Sequence, residues 1–215
     1  MDTNLKTSME LFAENTQVMR KGFRWENSLI YPLCSIIYTS KNLKINIDKI
    51  KEADAIIKNN MGIFSSFRGV GRLALATLLS LENDPEDFFM KVRDVYEILR
   101  EEFKTSSFLP FTAFMIAKNV KTDEHLNVTL KARDMYKLMK ANHPLLTSGE
   151  DTSFAALFAM SPKSNEEISD DVEECYRLLK KEFYSSDAVQ SLSHVLAFSP
   201  DSPEIKCNKG RSEGR

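Results

Sequence analysis

The sequence predicts an all-α protein in which antiparallel helix pairs, repeated about every 40 residues, stack into a right-handed superhelical solenoid behind an N-terminal capping helix. Three observations predict this fold. Long amphipathic segments recur with their apolar positions in register, shorter alanine-rich segments alternate with them, and helix-capping residues mark the boundaries. We expect the long segments to be outer helices and the short ones to be inner helices.

The apolar stripes of the outer helices carry the repeat. The clearest stripe steps by four, three, four and four residues, as one face of a helix does, at Phe88, Val92, Val95, Leu99 and Phe103. A shift of 80 residues reproduces it at Ile168, Val172, Cys175, Leu179 and Phe183, and a shift of 40 gives Val128, Ala132, Met135 and Met139. A less regular copy is Ile50, Ala53, Ile57 and Met61.

The inner segments align at the same interval of 40, at Leu75-Ala76, Met115-Ile116, Ala155-Ala156 and Val195-Leu196. Their alanines allow neighbouring helices to approach closely on more than one side. Capping residues are predicted at three boundaries: Asp84 before Pro85, Ser164 with Glu167, and Asp187 with Gln190. The helices are therefore expected to be short and clearly separated.

The domain organisation follows from these segments. We predict one domain over residues 1–204, with a capping helix at 5–22, helix pairs at 26–62, 70–103, 107–141 and 150–183, and a last inner helix at 187–198. Residues 205–215 are polar and basic, and we predict a disordered tail that leaves the last inner helix uncovered. Two interpretations stay open: an altered, non-native or truncated C-terminus, or an apolar face covered by a partner or by a second copy.

Composition excludes several classes of protein. Hydrophobic residues make up 42% of the chain and charged residues 28%, which is typical of a globular protein. The net charge is −2, and positive and negative residues are interspersed along the chain. We therefore predict neither a nucleic-acid partner nor a membrane partner. No apolar run suits a leader or a membrane helix, and the three cysteines lie far apart, so we expect a cytoplasmic protein with reduced thiols.

A search for reactive or cofactor-binding patterns finds none. Glycines are too sparse for a phosphate-binding loop, and the three histidines lack the spacing of metal ligands, so we predict no cofactor, no metal and no catalytic residue. His194 lies in an inner helix, at the repeat position of Ala74, Phe114 and Phe154. A hydrogen-bonded core histidine is therefore favoured over a ligand there.

Two loops contain the candidate binding residues. One loop runs from Phe64 to Arg72 and the other from Leu145 to Asp151, each before an inner helix. Equivalent loops lie along one edge of a solenoid, so the charged side chains of both could face one groove. The candidates are Arg68, Arg72, Thr147, Ser148, Glu150, Asp151, Gln190 and His194. The structural alternative is that the arginines pair with acids, and that Thr147 or Ser148 caps a helix.

Four sequence blocks resemble a family of unknown function from Gram-positive bacteria, DUF family 4003. They are Trp25-Glu26-Asn27-Ser28-Leu29, Phe64-Ser65-Ser66-Phe67-Arg68-Gly69, His143-Pro144-Leu145-Leu146-Thr147-Ser148 and Gln190-Ser191-Leu192-Ser193-His194-Val195-Leu196-Ala197. The resemblance implies helical repeats in a bacterial cytoplasmic protein. It implies no activity, cofactor or catalytic residue.

Two functional hypotheses follow. The first is a non-enzymatic protein-interaction scaffold, because stacked helix pairs form an extended binding surface and no reactive constellation is visible. The alternative is a small-molecule-binding or catalytic protein whose charged site is formed by the loops at 64–72 and 145–151. Self-association through the uncovered last inner helix is a third, weaker hypothesis.

Overall fold

The computed structural model describes residues 3–213, and the side chains of residues 4–209. All regular secondary structure in this range is helical, which confirms the prediction of an all-α protein. The helices are α1 (Thr3–Gly22), α2 (Ile30–Thr39), α3 (Ile47–Asn60), α4 (Arg72–Leu79), α5 (Pro85–Glu102), α6 (Leu109–Asn119), α7 (His125–Asn142), α8 (Asp151–Ala159), α9 (Asn165–Leu179), α10 (Ser186–Leu196) and α11 (Pro203–Glu213). Short 3-10 turns cover Ser66–Arg68 and Thr122–Glu124.

The chain forms two compact units. The first runs to Glu97 and includes Thr105–Ala117, and the second comprises Ile98–Lys104 and the chain from Lys118 onwards. In the first unit α1 packs on α2 and α3, and α4 packs on α2 and α3. In the second unit α7 packs on α8 and α9, and α9 also contacts α8, α10 and α11. The single domain and the solenoid stay predictions.

The interior of the first unit contains an aromatic cluster and a buried amide side chain. Phe67 is almost fully buried, and its ring meets Phe89 edge-on at 5.5 Å and Tyr96 at 4.7 Å. Asn15 of α1 is also fully buried. Its Nδ2 donates to Leu43 O at 3.0 Å and its Oδ1 accepts from Ile45 N at 2.9 Å. This amide satisfies backbone groups of the α2–α3 connection and attaches that connection to α1.

Two apolar clusters form the core of the second unit. The first contains residues of the predicted stripes of α7 and α9 together with inner-helix residues: Met135, Met139, Ala155, Phe158, Ile168, Val172 and Ala197. The second joins α9, α10 and α11 through Cys175, Leu179, Val189 and Cys207. The stripe residues in these clusters thus face the interior, as helical periodicity predicts, whereas Phe183, the last member of the α9 stripe, is 44% exposed.

Two of the three predicted caps are present. Ser164 Oγ accepts from Glu167 N at 3.1 Å while the Glu167 carboxylate accepts from Ser164 N at 2.8 Å, and Asp84 accepts from Asp87 N at 3.0 Å. The pairing of Asp187 with Gln190 is wrong. Ser185 caps α10 instead by accepting from Ala188 N, because the Gln190 side chain is buried and directed at another loop.

The predicted disordered tail is wrong for residues 205–213, which belong to α11. α11 packs on α9 and α10, so it covers the helix that we expected to be exposed. Lys206 is 1% exposed, and its Nζ lies 2.6 Å from both carboxylate oxygens of Asp171 on α9. The polar composition of this segment suggested exposure to solvent. In the structure the aliphatic part of Lys206 packs as an apolar group, and its ammonium is paired with a carboxylate. The tail residues 214–215 lie outside the described residues.

Replacing Lys206 with methionine is expected to release α11. Methionine keeps an apolar stem but removes the cation from Asp171, which retains only Lys163 at 4.0 Å. We expect the free energy of unfolding to fall by roughly 1–2 kcal/mol and amide hydrogen exchange to become faster across residues 203–213. Lys209→Met is the control, because its pair with Asp201 is exposed and should contribute little. Unchanged exchange in Lys206→Met would contradict this role.

Candidate functional site

The loop between α7 and α8 is held by hydrogen bonds to its own backbone. Lys140 Nζ donates to Pro144 O at 2.5 Å and to Thr147 O at 2.7 Å. Thr147 is buried, and its hydroxyl donates to Met139 O at 3.0 Å. Gln190 of α10 donates in turn to Thr147 Oγ1 at 3.3 Å. One threonine therefore joins α7, the loop and α10.

A buried acid and a buried imidazole lie beside this threonine. Asp151 Oδ2 accepts from Ser148 N at 2.7 Å, and Asp151 Oδ1 lies 3.5 Å from Nδ1 of His194. His194 Nδ1 has no hydrogen-bond partner, and the ring packs against Phe154 and Phe158 at centroid distances of 5.0 and 6.0 Å. His194 is thus a core histidine, as expected, but its Nδ1 does not make the expected hydrogen bond.

The two groups shift toward their neutral forms. Desolvation lowers the pKa of His194 to about 4, with a smaller contribution from His143, and desolvation also raises the pKa of Asp151. Although the two groups lie close enough for an ion pair, they are not hydrogen-bonded, and burial of each charge prevails over their attraction. The pair is therefore a desolvated contact of the interior, in which burial favours the neutral form of each group.

A shallow cleft of about 680 Å³ opens on the second unit next to this cluster. His143 forms one wall: its Nε2 lies 3.0 Å from a Glu173 oxygen, and its ring contacts Tyr176 at 4.3 Å. The remaining lining residues carry charges of both signs along α9 and its C-terminal end: Asp170, Glu174, Arg177, Lys180 and Lys181. Neither Asp151 nor His194 lines the cleft.

The arginines of the other predicted loop make contacts within the first unit. Arg72, at the start of α4, pairs with Asp54 of α3, and its Nη2 lies 2.5 Å from Glu26. Burial works against the charged guanidinium, but the hydrogen bonds and charges of Asp54 and Glu26 outweigh it and raise the pKa of Arg72. Arg68 Nη1 donates to Met61 O at 3.4 Å. Arg72 thus fits the structural alternative of an arginine paired with acids.

The structure brings together five of the eight predicted site residues. Contacts join Thr147 with Gln190, Ser148 with Asp151, and Asp151 with His194. Glu150 occupies the N-cap position of α8 and is exposed. Arg68 and Arg72 belong to the first unit, and a charged groove shared by both loops stays a prediction. Among the described residues, no group of three metal-ligating side chains occurs, and no helix is long and apolar enough to cross a membrane.

Sequence reasoning missed a set of exposed apolar side chains in the loops that precede inner helices. Trp25 and Phe64 are 92% and 97% exposed in the first unit, and Leu145 and Tyr184 are 96% and 98% exposed in the second. Three of these four residues lie inside the blocks that carry the family resemblance. Their position in loops, outside the helical periodicity, was the available signal, because such side chains are not needed to fill a core.

Comparison with known proteins identifies the family. The profile described as Protein of unknown function (DUF4003) matches residues 15–212. The chain belongs to the DUF4003 family. The chain is also similar to "Uncharacterized protein YeaA" of Bacillus subtilis (strain 168), with 25% identity over 211 residues that cover 93% of this chain. The chain spans 62% of the length of that relative. No solved structure matches the chain.

Proposed function

We propose that this DUF4003 protein is a non-enzymatic protein-interaction scaffold built from a solenoid of helix pairs. The repeat of about 40 residues supports a stacked architecture of helix pairs. A cytoplasmic setting is part of the proposal, in keeping with three buried cysteines that form no disulfide among the described residues.

The observation that carries the proposal is the cleft of the second unit and the two exposed apolar residues beside it. Leu145 follows two residues after the cleft-lining His143, and Lys180, which lines the cleft, donates to Tyr184 O. Leu145 and Tyr184 thus stand next to a shallow surface that carries charges of both signs. Apolar anchors beside a polar, solvent-open surface suit a polypeptide partner better than an enclosed small molecule.

The buried pair of Asp151 and His194 supports a structural role over a catalytic one. Asp151 and His194 are the one buried acid–imidazole pair among the described residues, yet burial raises the pKa of Asp151 and lowers the pKa of His194, and neither residue lines the cleft. A general acid or base must come within hydrogen-bond reach of its substrate. This pair therefore supports a structural function in the scaffold.

Photo-crosslinking in a lysate of the native host tests the proposal. A photoreactive residue at position 145 or 184 of the full chain is expected to yield discrete protein adducts, whereas one at Leu126, an exposed position on α7, should yield none. Leu145→Ala with Tyr184→Ala should weaken the captured partner's affinity about a hundredfold, as loss of two anchors does. Equal adducts at all three positions, or none, would contradict the proposal. Stabilisation by a metabolite in a thermal-shift screen would then favour the small-molecule-binding or catalytic alternative.

A further inference from the structure

The first unit presents a second exposed surface, which we name the loop-tip surface. It consists of apolar side chains in the loop before α2 and the loop before α4, flanked by basic residues. The apolar members are Trp25, Leu29, Ile63, Phe64 and Val70, and the basic members are Lys21, Arg24 and Arg68. It is distinct from the cleft of the second unit and does not depend on the proposed scaffold function.

The loop that carries Trp25 is held in place by buried contacts. The Tyr31 hydroxyl lies 2.5 Å from Phe23 O and 3.0 Å from Glu26 O, and Glu26 N donates to Phe23 O at 2.9 Å. Tyr31 itself is 3% exposed. The loop is therefore attached to the core on both sides of Trp25, while the indole points away from it.

The loop that carries Phe64 is held in the same manner. Phe67 enters the aromatic core, Ser66 Oγ lies 2.6 Å from the Tyr96 hydroxyl, and Arg68 donates to Met61 O. Three residues before the buried Phe67, Phe64 is almost fully exposed. Exposure of an aromatic ring from an ordered loop has no explanation in the packing of this unit and indicates a contact surface.

Arg72 brings the two loops together. It follows directly after Val70-Gly71 and pairs with Glu26, the neighbour of Trp25. This pair engages the carboxylate of Glu26, the only acidic side chain in residues 20–29 and 61–72. Arg24 stays beside the aromatic tip, with its guanidinium 5.7 Å from the centroid of the Trp25 ring. The loops thus combine projecting apolar side chains with excess positive charge, in a chain whose net charge is −2.

We propose that the loop-tip surface docks on an anionic lipid surface. Its apolar side chains are largely exposed on loops, and Trp25 borders a shallow cleft of about 390 Å³ together with Lys21 and Arg24. Projecting apolar side chains next to basic residues suit insertion between lipid headgroups, which needs no matching pocket. Tryptophan favours the membrane interface, and lysine and arginine attract anionic lipids while their stems lie against apolar surface. The mixed charge along the chain disfavoured a membrane partner, but in the fold the Arg72–Glu26 pair joins the loop of Arg24 to the loop of Arg68.

Trp25 provides the test, because it is the sole tryptophan of the chain. The full-length protein is titrated with vesicles of phosphatidylcholine alone and of phosphatidylcholine mixed with phosphatidylglycerol. We expect the emission to shift to shorter wavelength only with the anionic vesicles, and brominated acyl chains to quench it. No shift with anionic vesicles, or an equal shift with both kinds, overturns the proposal. A shift with rising protein concentration and no vesicles would assign the surface to a second copy, and would also overturn it.

Variants separate the apolar and electrostatic contributions. Phe64→Ala should weaken vesicle affinity about tenfold, since one buried aromatic side chain is lost. Lys21→Glu with Arg24→Glu should abolish the preference for anionic vesicles. Leu145→Ala with Tyr184→Ala, which alters the proposed partner surface, should bind vesicles as the wild type does. Wild-type affinity in both loop-tip variants would overturn the proposal even if Trp25 emission shifts.

Discussion

Replacing Arg72 with methionine is expected to lower the free energy of unfolding by about 3 kcal/mol, because a buried carboxylate loses its arginine. The side chains of Arg72 and Asp54 are 13% and 10% exposed. Arg72 connects the N-terminus of α4 to α3 through Asp54, and to the loop before α2 through Glu26. Urea denaturation followed by circular dichroism measures the change.

Two further variants separate this ion pair from general charge effects. Lys58 also pairs with Asp54, at 2.6 Å, but is 42% exposed, so Lys58→Met should cost less than about 1 kcal/mol. Replacing both buried partners, Arg72→Met with Asp54→Leu, should recover part of the loss, since no unpaired buried charge remains. Arg72→Met would contradict the prediction if it were no more destabilised than Lys58→Met.

Acidification from pH 6.5 toward pH 4 is expected to cost the wild type up to about 3 kcal/mol through His194. Burial lowers the pKa of His194 from 6.5 to about 4 in the folded protein. Between these pH values the imidazole of the unfolded chain is protonated while that of the folded protein stays neutral. The free energy of unfolding therefore falls as the pH falls. Asp151 acts in the opposite direction, because its raised pKa lets the folded state accept a proton before the unfolded chain does.

Histidine and aspartate variants test this assignment by unfolding at several pH values. His194→Phe places an apolar ring against Phe154 and Phe158 and should remove most of the loss of stability at low pH. Asp151→Asn should make the loss of stability with falling pH steeper, because the folded protein no longer gains stability from protonation of the Asp151 carboxyl. His125→Gln, a buried histidine of α7, is the matched control and should leave the loss of stability in place. An unchanged pH profile in His194→Phe would contradict the assignment.

Local sequence patterns predicted the helices because their evidence is local. The stripes of α5, α7 and α9 follow helical periodicity, and the Ser164–Glu167 capping box requires only four consecutive residues. The same reasoning failed at α10 and α11. Gln190 had the right spacing for a cap but donates to Thr147, 43 residues earlier. The polar segment after Ser202 is helical and packs on α9, where Lys206 pairs with Asp171.

Part of the candidate site was also within reach of the sequence. Thr147, Ser148, Asp151, Gln190 and His194 were identified from loop position and repeat phase, and the structure joins them by contacts. Their protonation behaviour was not predictable, because the pKa of a carboxyl or imidazole depends on how completely neighbours from other helices exclude water.

The sequence by itself determined the helical class, the apolar faces, most boundaries and the resemblance to the DUF4003 family, since periodicity, capping and motif order all reside in neighbouring residues. Only the tertiary structure decided which polar groups are buried and which apolar groups are not. Phe64 and Phe67 are three residues apart, yet Phe67 lies in the core and Phe64 is exposed. That distinction arises from packing between segments distant in the chain, and it is what places Trp25, Phe64, Leu145 and Tyr184 at the surfaces where we expect partners to bind.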